Sequence, residues 1–78
     1  MIVRFDATEI VVQIGKRQAL VPCHTQPDGE PDLVVNLDDV THWLSPHHAD
    51  EISLGDLQKI AAWIERACDD RRLDVEFE

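Results

Sequence analysis

The sequence predicts an α+β domain in which an antiparallel sheet of about five strands, in the order ββββαβ, carries one long helix on one face. Three observations predict it. From Ile52 to Arg72, Leu57, Ile60, Ala61, Ile64, Ala67 and Cys68 recur at three- and four-residue steps, so one apolar stripe on a helix must face something broad and apolar. The segments before that stretch read as sheet, with apolar residues at a period of two. The chain then closes on Leu73-Asp74-Val75-Glu76-Phe77-Glu78, a strict alternation with Leu73, Val75 and Phe77 inward.

Taken in order, Val3 and Phe5 belong to a short first strand, and Glu9 to Ile14 sets Ile10, Val12 and Ile14 on one face. Gly15-Lys16 supplies a two-residue turn of the glycine-first type, whose twist matches a hairpin, and Arg17 to Pro22 returns as the partner strand. That turn fixes the register: Val12 faces Ala19 and Ile10 faces Val21 on the core side, while Val11 faces Leu20 on the other. The Val11–Leu20 pair is where a dimer contact or a covering loop is expected. Cys23 to Pro31 changes to Pro, Asp, Gly and Glu and reads as an exposed loop carrying Asp28 and Glu30. Asp32 to Leu37 is the next strand, Asp38-Asp39 a turn, and Val40 to Leu44 a short extended piece that stops before Ser45-Pro46.

His47 to Glu51 forms a second exposed loop, after which the helix start is written clearly. Ser53 caps the orphan N–H groups, Asp56 completes a capping-box-like pair, and Ile52 with Leu57 occupies the hydrophobic-staple positions. At the other end Arg71 and Arg72 suit the helix dipole, but no glycine is available for a left-handed cap, so fraying is expected around Asp69 to Arg71.

The chain has 78 residues, room for a single domain over residues 1–78 that buries only about 60% of its unfolded surface. Sixteen acidic against seven basic side chains give a net charge of -9. That balance argues against a phosphate backbone as ligand, and the basic residues are scattered, so no nucleic-acid partner is expected; basic protein partners or plain solubility are favoured. Met1-Ile2-Val3-Arg4-Phe5-Asp6 lacks a basic region leading into a long apolar core, and no apolar run approaches a membrane span, so a soluble, cytoplasmic protein is expected. Two cysteines, Cys23 on a loop and Cys68 on the helix, are too few for a disulfide scaffold and read as ordinary thiols of a reducing compartment.

No motif of catalysis or cofactor binding is present. Cys23-His24, His42 and His47-His48 hold types that ligate metals, yet neither a C-x-x-C pair nor an H-x-x-x-H helix pair occurs, and exposed polar loops explain them better than a metal does. A nucleophilic Cys23 lacks any local sign of a base or oxyanion hole. No cofactor is expected. The more telling pattern is that Asp28 with Glu30, Asp38 with Asp39, and Asp50 with Glu51 all fall in turns or loops, where binding residues are often carried, against the plain alternative of solvated charge. Trp63 lies about 100 degrees off the centre of the helix stripe, at the edge of the buried face. Trp43 is expected to face the other side. Such aromatics are either lids over a small core or anchors for a partner.

The second half of the chain resembles the immunity protein 74 family of bacterial polymorphic toxin systems. The resemblance rests on Val34-Val35-Asn36-Leu37-Asp38-Asp39-Val40, Trp43 with Pro46 behind it, Ile52-Ser53, the helix with Ile60 and Ile64, and the ending Val75-Glu76-Phe77-Glu78. It implies a non-catalytic α+β domain that binds and neutralises a cognate toxin. Asp70-Arg71-Arg72 departs from the family in lacking a glycine just before the last strand. Asp28, Glu30, Asp38, Asp39, Trp43, Asp50, Glu51 and Trp63 are the expected partner-binding residues. The alternative from another class is a small homodimerising adaptor or regulatory subunit, motivated by the thin core and the Val11–Leu20 pair.

Overall fold

A computed structural model describes residues 1–78 as five strands, one short 3-10 turn and one helix. The strands β1 (Ile2–Phe5), β2 (Glu9–Ile14), β3 (Arg17–His24), β4 (Leu33–Val35) and β5 (Val75–Phe77) lie in that spatial order, and α1 (Leu54–Asp70) precedes β5. The α+β class and the ββββαβ order are those the sequence predicts. The hairpin register is also as expected, with Val12 opposite Ala19, Ile10 opposite Val21 and Val11 opposite Leu20. Gly15 takes φ +62° while Lys16 keeps a negative φ, the glycine-first turn that the right-handed twist of a hairpin favours.

Three expectations change. β5 pairs with β4 in parallel, so the sheet is mixed: α1 carries the chain back to the end where β4 began, and the following strand must run the same way. β3 continues to His24, so Cys23 is a strand residue, 5% exposed, and not a loop thiol; its Sγ–H donates to the Asp6 carbonyl at 3.5 Å. Val40 to Leu44 is not a strand. It runs beside the uncovered half of β3, where the Leu44 N–H donates to the Gln18 carbonyl (2.7 Å), and otherwise forms one bridge between His42 and Glu51. Leu37–Asp39 is a single 3-10 turn, which interrupts what would have been one long strand along β3.

One apolar cluster fills the space between sheet and helix. Ile10, Val12, Ala19, Val21, Cys23, Leu33 and Val35 from the sheet meet Ile60, Ile64 and Cys68 from the helix, with Val40, Trp43 and Ile52 closing one side. The opposite face of the sheet has no second layer; Val11 and Leu20 are half-buried there, and at the far end of β3 a fully buried Val34 is flanked by His24 and Glu76.

Both helix ends are closed. The Ser53 side chain accepts from the Asp56 N–H at 3.2 Å, while Ile52 is buried and Leu57 packs on the core, as the staple requires. The C-terminus does not fray. Arg72 adopts φ +56°, the Leu73 N–H reaches the Cys68 carbonyl (2.8 Å) and the Arg72 N–H reaches that of Asp69 (3.0 Å), a complete Schellman motif with arginine in the left-handed position. The glycine missing from Asp70-Arg71-Arg72 belongs at Arg72, where a side chain costs about 1 kcal/mol. Arg72→Gly is therefore expected to stabilise the fold by about 1 kcal/mol in urea unfolding, with no change in m-value.

The thiols also make a prediction. Burial pushes Cys23 up from the ordinary thiol range, and the Cys68 and Asp6 side chains add to it; burial raises Cys68 too, partly offset by Arg71. A raised folded pKa gives stability that is complete below the ordinary thiol value and is lost as pH climbs through it, because the unfolded chain releases those protons first. The urea midpoint is expected to fall as pH rises past the ordinary thiol value of about 8.5 toward the raised folded values, and the fall should shrink in the Cys23→Ala/Cys68→Ala variant. Unfolding, not pH alone, should expose both thiols to a chromogenic disulfide reagent.

Candidate functional site

The sequence marks eight residues, and the structure scatters them. Asp28 and Glu30 lie exposed in the loop between β3 and β4, where the Asp28 carboxylate accepts from the Glu30 N–H at 3.2 Å. That loop is at the N-terminal end of β4, whereas Asp38 and Asp39 follow its C-terminal end. Asp50 turns toward the hairpin and sits 3.7 Å from Arg17. Glu51 is exposed and bridges to His42. Trp63 is half-buried and stands nine residues from Leu54, which is half a turn around the helix, so it is on the opposite flank from the groove described below.

Trp43 is corrected outright as a surface residue. It is 2% exposed within the core, under the Arg17 guanidinium, which lies 5.9 Å from the ring centroid. Strand alternation counted from Val40 placed it outward, but the segment is not a regular strand, and its bond to the β3 edge rolls the indole beneath the sheet. Its Nε1–H is buried without a partner.

What the structure does bring together is a groove at the start of the helix. Leu37 from the 3-10 turn faces Leu54, Leu57 and Ala61 from α1, with Asp38 at the rim; a second hollow, sharing Leu37, Asp38 and Leu57, extends it past Val40 to Glu51. Leu54, in the first helical turn, is 72% exposed, an unusual position for a large apolar side chain. Asp38 and Glu51 border this apolar floor, and neither has a cation within ion-pair distance; the ion pairs of the molecule join Arg4 to Asp6 (3.0 Å) and to Glu9, and Arg17 to Asp50. Of the groove's residues the sequence reading names Asp38 and Glu51, while Asp39 lies outside the lining and Leu54 is missed, its signal being its departure from the stripe just after the cap.

The histidines do not converge. No group of three or more His, Cys, Asp or Glu side chains is placed to hold a metal ion, His42 Nδ1 pairs with the neighbouring Thr41 hydroxyl (2.9 Å), and His48 Nδ1 with Ser45 (3.2 Å). No helix is long and apolar enough to cross a membrane.

Fold and groove define a small acidic α+β domain with an apolar channel at the helix start bordered by Asp38 and Glu51. The chain belongs to the immunity protein 74 family, whose model matches residues 2–78. No curated protein and no solved structure matches it. Membership gives the role in general, that of an immunity protein with a toxin to neutralise.

Trp43 separates packing from polarity. Trp43→Phe removes an indole N–H that has no partner and should cost less than about 1.5 kcal/mol, whereas Trp43→Ala opens a cavity and should cost about 3–5 kcal/mol. Chemical denaturation of the two variants measures the difference.

Proposed function

We propose that the chain neutralises a toxin encoded beside it by clasping a basic surface of that toxin with the groove at the start of α1. The observation that supports this most is the groove itself: an apolar floor of Leu37, Leu54 and Leu57 with Asp38 at its margin and Glu51 in the adjoining hollow, neither of them in an ion pair. Apolar centre and charged rim are the anatomy of a protein interface, in which desolvated anchors supply affinity and the surrounding charge speeds encounter and excludes wrong partners. A net charge of -9 extends the attraction beyond the contact and opposes nucleic acid as ligand. Inhibition needs no chemistry from this chain; occupancy of the toxin suffices.

Co-expression tests the reading. The protein should protect cells producing the toxin domain encoded immediately next to it and should co-purify with that domain. Asp38→Lys/Glu51→Lys should weaken binding by at least about tenfold, mostly through slower association and with reduced sensitivity to salt, while the melting temperature stays within about 2 °C. Failure of every adjacent toxin domain to bind the wild-type protein overturns the proposal.

A further inference from the structure

We infer that the outer edge of β5 accepts an extended segment of a protein partner whose side chains alternate apolar and basic; that the partner is the toxin rests on the function just proposed, but the surface does not.

β5 ends the sheet, with β4 on its inner side and no strand on its outer side. Its parallel ladder is anchored by the Asp74 carbonyl, which accepts from the Leu33 N–H (3.0 Å), and by the Glu78 N–H, which donates to the Val35 carbonyl (2.8 Å). Backbone groups alternate sides along a strand, so those of Val75 and Phe77 point outward. The other edges are closed by different means. β1 has a register irregularity between Ile2 and Arg4 and carries Arg4 paired to Asp6 and Glu9, a bulged and charged edge; the free half of β3 is met by Leu44.

The side chains around the open edge say what would fit. Leu73 and Val75, on the helix side, stay only half-buried and with Ala62 floor an open groove between α1 and the edge. Glu65, Asp69 and Asp74 line that groove against the single cation Arg66, and none of the four is in an ion pair. On the opposite face Glu76 and Glu78 are exposed. A strand laid here sends every second side chain into the groove and the others beside Glu76 and Glu78, so apolar and basic residues must alternate along it. A second copy of this chain cannot be the occupant, because two β5 edges would set these carboxylates against each other in either direction. The edge also runs into the groove at the helix start, since the Asp38 N–H donates to the Glu78 carbonyl at 3.0 Å. One partner strand thus reaches both surfaces.

The test uses the intact protein with three synthetic octapeptides: one alternating valine and lysine, a block isomer with all its valines before all its lysines, and one alternating valine and glutamate. Amide hydrogen exchange read by NMR should slow at least about tenfold at Val75 and Phe77 with the alternating valine–lysine peptide, and not with the other two. Unchanged exchange at those amides with that peptide, or equal protection by the block isomer, overturns the inference. The Glu76→Lys/Glu78→Lys variant, with circular dichroism confirming its fold, should lose the protection and bind the toxin at least about tenfold more weakly. If that variant loses the peptide protection but binds toxin as tightly as wild type, the assignment of the toxin to this edge fails and the immunity reading stands. If wild type binds no adjacent toxin, the immunity reading fails and the peptide result still decides the edge.

Discussion

The docking of one helix stripe on one sheet face is the constraint from which everything else in this molecule follows. Ile60, Ile64 and Cys68 are all fully buried against Ile10, Val12, Ala19 and Val21, and no second apolar layer exists to replace that contact. Only 14 of the 78 residues are buried, so the loss of a few methylene groups anywhere in the seam removes a large share of a small total. This explains why both helix ends are so firmly closed. A helix that carried the whole core but frayed at its last turn would release Cys68, the lowest rung of the stripe, and with it the start of β5.

A single covering layer also decides where the molecule is open. One helix shields the middle of a five-stranded sheet and leaves its flank short of cover, so Leu37, Leu57, Leu73, Val75 and Phe77 pack on the core while remaining half-exposed. The exposed seam is thus a geometric outcome of size. What selection of residue types adds is its rim: acidic side chains that keep an apolar seam in solution and bar its pairing with itself.

The parts of the fold that depend on short-range chemistry were legible in the sequence. Gly15-Lys16 fixed a hairpin register, Ser53 fixed a helix start, and the Ile60-Ile64-Cys68 spacing named the buried face. The parts that depend on distant partners were not. Nothing local distinguishes a parallel from an antiparallel β5, because its direction is set by the length of helix that precedes it. Trp43 is misplaced because alternation is carried through a segment whose path is fixed by the β3 edge, and Cys23 because the loop reading starts at Cys23 although the strand runs on through His24. Arg72 is the instructive case. A left-handed residue without glycine is invisible to composition, yet two backbone bonds and the packing of Leu73 impose it. At the candidate site, Asp38 and Glu51 were visible as loop charge, but the place of Asp38 beside Leu54 and of Glu51 in the adjoining hollow needed the 3-10 turn and the helix start to be seen in space.

Charge and thin core are linked energetically. Of sixteen acidic side chains three, Asp6, Glu9 and Asp50, meet a cation, which leaves thirteen with no ion-pair partner. Crowding them onto a folded surface of 5117 Å² costs free energy that the expanded chain does not bear, so self-repulsion opposes the same fold that the helix stripe holds together. A basic partner that binds only the folded form reverses that term locally and adds the stability of mass action, about 2.7 kcal/mol at a hundred times its Kd. For a core this small such an increment is comparable to deleting or restoring a whole buried side chain. With such a partner the chain would be most stable when occupied: the uncompensated carboxylates that weaken the free chain are the groups a basic partner would neutralise.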